Sequence, residues 1–332
     1  MPEFRKDPVI GRWVIIDPSR NFKKIMHSAE DEYPKDTSKC PFCPGNEDMT
    51  RPEILAYSNN PQRYPNSKGW NLRVIPNNKP ILEIEGNLKR RGDGMYDKMD
   101  GVGAHEIIIE TPQHHQNFAD RSEKQYENIF SSIIERIKDL RNDTRLEYIV
   151  AFKNYGISAN ALFEHPHSQL IAMPIVPKRV REEILGAENY FKYRERCVFC
   201  DIIAQETAEE IRIVQENEDF TALCPYASRY PFETWILPKN HQTDLDSISQ
   251  KELKNLSKIS KSVSEKLYNV LDDPSWSGLI HTSPLKEKNM PYYHWHMEII
   301  PKLTKTAGFE WGTGLYVNPV LPEEAAKYLR DN

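Results

Sequence analysis

The chain has 332 residues, a length that suits two domains of ordinary size, and carries 44 basic against 49 acidic side chains for a net charge of −5. The acidic balance argues against a nucleic-acid coat, which is basic as a rule. No apolar run approaches the ~20 residues of a bilayer span, and 10% aromatic residues argue against a disordered chain. Neither nucleic acid nor membrane is therefore an expected partner.

Short strand-like runs fill the first 110 residues: Trp13 to Ile16, Leu72 to Ile75, Ile81 to Ile84 and His105 to Glu110, separated by Pro, Asn and Gly. From Ser122 to Leu140 the period becomes helical, with Ile129, Ile133, Ile134, Ile137 and Leu140 on one face. Strands are expected again at Tyr148 to Lys153 and Gln169 to Met173. A charged stretch from Pro177 to Arg196 reads as one connecting helix. Then the order recurs: strands at Ile211 to Val214 and Thr234 to Leu237, a long helix from Ser247 to Leu271, and strands at Leu279 to His281 and His294 to Ile300. The pattern predicts an α+β fold with antiparallel sheets and packed helices, divided into residues 1–176 and 177–332.

The two halves share more than an element order. The first carries Cys40-Pro41-Phe42-Cys43, then Glu106 through His114, then His165-Pro166-His167. The second carries Cys197-Val198-Phe199-Cys200, then Glu233 through His241, then His294-Trp295-His296. Three motifs repeated in order identify two homologous domains. Each gathers two Cys and two His, a common structural set for tetrahedral zinc. Cys40, Cys43, His114 and His165 are thus expected to hold one Zn²⁺, and Cys197, Cys200, His241 and His294 a second. A single CxxC in a cytosolic chain also reads as a redox pair; the repeat weighs against that. Cys224 is left over and no signal peptide opens the chain, so a reducing, cytoplasmic setting without disulfides is expected.

In an extended segment residues i and i+2 share a face, so His165 and His167 are expected side by side. With His165 on the metal, His167 is held near a fixed point while remaining free to act as a nucleophile. Gln169 lies one step further on that face, where its amide N–H can bond an oxygen on a reacting phosphorus. The competing readings are that both histidines serve the metal, or that His167 is only a satisfied polar residue.

The segment FEHPHSQLIAMP resembles the active-site strand of the galactose-1-phosphate uridylyltransferase family, a branch of the histidine-triad superfamily. WVIIDPSR, CPFCPGNE, WNLRVIPNNKP, HEIIIETPQH, FKNYG, HTSPLK, PYYHWHMEIIP and GFEWGTGLYVNPV also look like family signatures, so the resemblance covers nearly the whole chain. It implies tandem histidine-triad-like domains and a two-step nucleotidyl transfer. His167 would attack the α-phosphorus of UDP-glucose and release glucose 1-phosphate; galactose 1-phosphate would then take the uridylyl group from the histidine. It further implies phosphate contacts at Arg20 and Lys23, nucleotide contacts at Asn77 and Asn78, and a substrate-phosphate contact at Asn154. Gly312, Thr313, Gly314 and Asn318 fall in the hexose-phosphate loop, with Lys302 and Lys305 nearby. A homodimer is expected.

Two departures stand out. Ser168 replaces the usual Gly after the nucleophile, as in plant ADP-glucose phosphorylase with its HSHSQ. Leu162 and Phe163 stand where the family has small residues and a Ser. Ser168 is accordingly counted among the substrate-binding residues, and a phosphorylase of the ADP-glucose type is the alternative activity. A zinc-stabilised binding protein without turnover is the alternative of another class; the presence of both His167 and Gln169 argues against it. In the second half Met297-Glu298 replaces Ser168-Gln169, so His296 is expected to be silent, with His281 a candidate ligand or phosphate contact.

Overall fold

The computed structural model describes residues 1–20, 33, 37–287 and 289–332. Its centre is one ten-stranded sheet shared by both halves. The first half contributes β3 (Leu55–Tyr57), β4 (Leu72–Pro76), β7 (Ala104–Ile109), β8 (Tyr148–Tyr155) and β9 (His167–Met173). The second contributes β10 (Ile213–Glu216), β11 (Phe220–Leu223), β12 (Thr234–Pro238), β13 (Trp276–His281) and β14 (His296–Pro301). The spatial order is β3-β4-β7-β9-β8-β13-β14-β12-β11-β10, and every neighbouring pair is antiparallel. The order is therefore a palindrome: β8 answers β13, β9 answers β14 and β7 answers β12. The halves meet at β8 and β13, from Trp276↔Tyr155 to Ile280↔Ala151.

One face of the sheet is covered by α1 (Glu123–Leu140) and α4 (Gln250–Leu271), which also pack on each other. Both open on a capping box, Ser122 with Gln125 and Ser249 with Glu252, which satisfies backbone N–H groups that a helix start leaves orphaned. The apolar stripe read from the sequence is the buried one: Ile129, Ile133 and Ile137 of α1 join Leu253, Leu256, Ile259, Val263 and Leu267 of α4 in the main core. Burying such a side chain contributes about 1.5–3 kcal/mol each. The opposite face carries the Cys and His clusters, α2 (Lys178–Arg194), α3 (Val198–Glu209) and the chain start. There β1 (Glu3–Lys6) and β2 (Trp13–Ile16) form a small sheet with β15 (Tyr316–Asn318), which runs parallel to β2. An exposed hairpin, β5 (Arg91–Asp93) and β6 (Tyr96–Lys98), stands apart, and α5 (Gly308–Thr313) and α6 (Pro322–Asp331) complete the chain. Among the described residues no helix is long and apolar enough to cross a membrane.

Two expectations are corrected. The run Ile81 to Ile84 is not a strand: only Glu83 bridges, to Val102, and Ile81 and Ile84 are exposed. The connecting helix forms as expected, over Lys178–Arg194: Glu195, left-handed at φ 56°, ends it just before the second CxFC, inside which α3 begins. Both last strands start at the second histidine of the HxH pair: His167, two residues ahead of the expected Gln169, and His296, two residues after the expected His294.

Candidate active site

The first CxFC lies in a turn under β7 and β9, with its Cys40 and Phe42 packed among Trp70, Ile107 and Ile109. This brings Cys40, Cys43, His114 and His165 together, with ligand atoms within 4.8 Å of one another. His165 Nδ1 lies 3.8 Å from Cys40 Sγ and 3.6 Å from Cys43 Sγ, and His114 Nδ1 lies 3.2 Å from Cys43 Sγ. Tetrahedral bonds of ~2.3 Å to sulfur and ~2.05 Å to nitrogen would separate those atoms by roughly 3.6 Å. The imidazoles are also oriented for a metal. His165 Nε2–H donates to the Thr111 carbonyl at 2.8 Å, which leaves the Nδ1 lone pair facing the sulfurs. Burial pushes His165 down to about 4, so it is neutral at pH 7. Outside the quartet, His114 Nε2 meets Glu164 at 3.5 Å.

His167 follows on the same face. Its Nδ1–H donates to the His165 carbonyl at 2.8 Å, which leaves Nε2 as the lone-pair nitrogen. Burial, with the Lys153 ammonium adding to it, pushes His167 down to about 4. A neutral imidazole with one free nitrogen is the nucleophilic form. Phe42 stands 5.5 Å from the ring and Phe163 6.1 Å, and those two phenyl rings touch at 4.7 Å. Phe163 thus forms a rim beside the histidine.

Gln169 is one strand step away, and His105 fixes its amide. His105 Nδ1 accepts the Ile81 N–H at 3.2 Å, so its Nε2–H donates to Gln169 Oε1 at 2.9 Å. The Gln169 NH₂ is left as a donor. His105 is absent from the residues singled out in the sequence, although it directly precedes Glu106 in HEIIIETPQH; only the β7–β9 register reveals the diagonal contact. Asn77 joins this group through its Nδ2–H, which donates to His105 Nδ1 at 3.4 Å.

Other expected contacts fall elsewhere. Ser168 points to the opposite face of the sheet, and its hydroxyl donates a short hydrogen bond to the buried Glu110 carboxylate. It therefore does not line the substrate side, as alternation along a strand requires of the residue between His167 and Gln169. Asn78 spends its amide on a turn, donating to Met49 O and accepting from Arg51 N–H. Asn154 accepts from Ser277 Oγ at 3.0 Å; continuing the β8–β9 register by two residues sets it opposite His167. Arg20 pairs with Asp17 at 3.4 Å and lines a cavity of about 420 Å³ with Lys305, Phe309 and Glu310. Gly312 and Thr313 end α5, where the Thr313 hydroxyl donates to Phe309 O, and Gly314 closes the helix at φ 71°. Among the described residues, no hydrogen bond or ion pair of Arg20 or of residues 312–314 reaches the His167 cluster. Asn318 donates to Ser228 O and Tyr230 O, and Lys302 sits over the Tyr230 ring at 5.6 Å. Lys23 lies outside the described residues.

The second half builds the same quartet from Cys197, Cys200, His241 and His294. Cys200 Sγ lies 3.5 Å from His241 Nδ1 and 3.6 Å from His294 Nδ1, and His294 Nε2–H donates to Pro238 O at 2.9 Å. His296 donates Nδ1–H to the His294 carbonyl at 3.2 Å, as His167 does to His165. The pocket beyond it is closed. Phe199, Trp235 and His281 surround the ring at 5.1–5.4 Å. Asp7, Val9, Ile10 and Arg12 of the chain start and Arg179 of α2 leave a void of only about 10 Å³ there. Glu298 takes the place of Gln169 and is claimed by Arg229 Nη2 at 2.6 Å, which also holds Glu233 at 2.6 Å. His281 is paired with Glu183 at 2.9 Å; burial pushes it down, but that carboxylate outweighs burial and raises it to about 9. Glu183, His281, His296 and Glu298 bring ligand atoms within 4.8 Å as well.

The matched glutamates of the two Ex₇H motifs are not structural equivalents. Ile109 opposes His167, and the register of β12 on β14 sets Leu237 opposite His296, so Glu233 answers His105 rather than Glu106. Glu106 faces α1 and pairs there with Arg136 at 2.7 Å. One residue fewer between strand and histidine in the second half turns its glutamate to the other face.

Family models match both halves: the N-terminal domain of galactose-1-phosphate uridyl transferase over residues 1–177, and its C-terminal domain over residues 183–325. An ADP-glucose phosphorylase of Arabidopsis thaliana is 37% identical over 339 residues, covering 99% of this chain and 93% of its own. A galactose-1-phosphate uridylyltransferase of Thermotoga maritima is 29% identical over 340 residues, covering 100% and 98%. The crystal structure of an Arabidopsis thaliana ADP-glucose phosphorylase with bound ADP-glucose superposes with a TM-score of 0.84 at 35% identity, covering 100% of this chain and 99% of that one. A uridylyltransferase structure superposes with a TM-score of 0.78 at 26% identity, covering 100% and 98%. With both of its domains matched and relatives aligned along the full length, the chain belongs to the galactose-1-phosphate uridyl transferase family.

Proposed function

We propose that the protein is a nucleotidyltransferase that passes a nucleoside monophosphate from a nucleotide sugar to a phosphate acceptor by way of His167. The observation that carries this reading is the committed tautomer of His167: Nδ1–H is spent on the His165 carbonyl, so Nε2 alone faces a substrate. In the first step Nε2 forms a bond to the α-phosphorus. The bond from that phosphorus to the bridging oxygen breaks, and the sugar 1-phosphate leaves with the electron pair. The imidazolium so formed keeps its Nδ1–H donated to the carbonyl. The Gln169 NH₂, oriented by His105, donates to a phosphoryl oxygen as charge builds on it. In the second step an acceptor phosphate oxygen attacks the same phosphorus, and the N–P bond breaks to regenerate neutral His167.

Both Cys₂His₂ quartets suit Zn²⁺ by donor type, spacing and orientation of the ring nitrogens, and we assign two ions per chain. The ion beside the site would supply rigidity to the strand that carries His167. All five cysteines are unpaired, which suits a reducing cytoplasm; the working form is taken to be a homodimer.

Within this chemistry the first reading is exchange of UMP between UDP-glucose and galactose 1-phosphate, supported by the family models and the Thermotoga maritima relative. The second is an ADP-glucose-type phosphorylase with inorganic phosphate as acceptor, favoured by the 37% identical relative and by Ser168 as a sequence marker. Incubation with UDP-glucose or ADP-glucose labelled at the α-phosphorus, without acceptor, separates them. The nucleotide that labels the protein is the substrate, and chasing with galactose 1-phosphate or phosphate identifies the acceptor. A protein labelled by neither would defeat both readings.

A further inference from the structure

Directly beneath the nucleophile, on the face turned away from substrate, lies a buried charged group that the proposed chemistry does not use. Glu110 is 2% exposed and takes Lys153 Nζ at 2.9 Å, Arg121 Nη1 at 2.7 Å and the Ser168 hydroxyl. Lys153 Nζ makes a further bond, to the carbonyl oxygen of His167, at 2.9 Å. The paired register of β8 on β9 ends at Phe152↔Gln169, two residues short of His167. At that point a lysine side chain meets the carbonyl of the nucleophile's own peptide.

Burying three charges is expensive, and apolar residues of similar volume are often as stable or more so. The internal repeat supplies a control. Phe152 opposes Gln169 as Leu279 opposes Glu298, so Lys153 answers Ile280; Ser168 answers Met297; and Glu110, one residue past Ile109, answers Pro238. The half whose HxH pocket is filled thus holds Ile280, Met297 and Pro238 where the half with the open histidine holds Lys153, Ser168 and Glu110. The same sheet packs at both places, so the fold itself does not require the charges.

Resting on the nucleotidyl-histidine reading, we propose that Lys153 is a positioning residue for His167, holding its peptide carbonyl from below while Glu110 anchors the ammonium. The imidazole is then fixed at two points: its ring through the His165 carbonyl, and its peptide through Lys153. Losing the second point lets the peptide plane rotate about the strand and swings Nε2 off the line of attack. A displacement near 1 Å costs ~100-fold in rate without weakening substrate binding.

The test uses Lys153→Met, which leaves Glu110 paired with Arg121, Lys153→Arg, and the double variant Lys153→Ile/Ser168→Met, which carries residue types that the same sheet packs in the second half should the single change impair folding. Single-turnover labelling of His167 by the α-phosphorus-labelled nucleotide sugar gives the rate; equilibrium binding of that nucleotide sugar to each variant combined with His167→Gly gives the affinity; thermal unfolding gives the folded fraction. Lys153→Met and the double variant should label roughly 100-fold more slowly per folded molecule with unchanged affinity. Lys153→Arg should recover most of the rate, since a guanidinium can reach both oxygens. Wild-type labelling rates in Lys153→Met or the double variant overturn the positioning role alone. So does a rate loss matched by an equal loss of affinity, or one that Lys153→Arg does not relieve. A wild-type protein that takes no label overturns the nucleotidyl-histidine reading and this role with it.

Discussion

Replacing one cysteine in each quartet should separate the two proposed metal sites by function. In the first half the path from ligand to nucleophile is one dipeptide long. His165 presents Nδ1 to the sulfurs, and its carbonyl holds His167 Nδ1 at 2.8 Å. Cys40→Ser weakens the grip on His165, and any shift of that peptide passes straight to the His167 ring. A misplacement of ~1 Å is worth ~100-fold, or about 2.7 kcal/mol of barrier. In the second half the same link ends on His296, which is enclosed by Phe199, Trp235 and the chain start and has nothing to attack. Cys197→Ser should therefore act mainly through stability, because a structural metal contributes to folding directly. The assay is nucleotidyl labelling per folded molecule alongside the melting temperature and metal content of each variant. Cys40→Ser should lose labelling with or before stability, whereas Cys197→Ser should melt earlier and label within a few-fold of wild type. Equal slowing of labelling in both variants at equal folded fraction would refute the reasoning and require the second half to reach into the site of His167.

His167→Gly should fold, take no label, and regain transfer when imidazole is added, because Gly leaves a ring-sized hole beside Phe42 and Phe163; unaided activity in that variant removes His167 from the chemistry. His105→Ala frees the Gln169 amide to rotate, and should slow labelling by about 10- to 100-fold, short of the 10²–10³ for loss of a whole oxyanion donor; an unchanged single-turnover rate would separate Gln169 from the reaction. Acid should destabilise the protein through Glu110. Burial pushes this carboxyl up, but Arg121 and Lys153 outweigh burial and hold it at about 2 against an ordinary 4.5. Its contribution is complete above pH 4.5 and is lost as the pH falls towards 2. Glu110→Gln should be less stable than wild type at pH 7, by on the order of 3 kcal/mol, and the gap should close between pH 4.5 and 2. A gap independent of pH would mean that packing, and not charge, is what Glu110 supplies.

The sequence was most legible where one residue type has one use. The CxFC and HxH pairs led directly to two quartets because cysteine and histidine have few other reasons to recur at those spacings. The 3.6-residue period located both long helices; the expected start at Ser122 is the capping serine of the first, and the expected Ser247 falls two residues ahead of Ser249, which caps the second. What stayed hidden depends on register. Ser168 looked like a substrate contact from its place in the motif, yet alternation sends its hydroxyl to Glu110. Glu106 and Glu233 looked equivalent, yet a one-residue difference puts them on opposite faces. His105 and Lys153 act through partners 64 and 14 residues away, and no local pattern marks them. The joining of the halves into one sheet was also invisible, since two separate five-stranded sheets would leave the same periodicities.

That joining has a consequence for how the chain avoids sticking to itself. A sheet of five strands ends in two rows of unpaired N–H and C=O groups, each a template for adding a foreign strand. Here β8 and β13 cover one another, so each half removes the other's exposed row. The outer ends are blunted in different ways: β3 is only three residues long, and β10 is backed by α6, with Arg330 Nη1 donating to Ile213 O at 2.6 Å and Glu210 O at 3.0 Å. Either half expressed without its partner would uncover a long central strand, the eight residues of β8 or the six of β13, and should self-associate through it. The second half thus brings more than a second Cys₂His₂ quartet: each half covers the other's open edge, and that role stands even though the pocket beside His296 is filled.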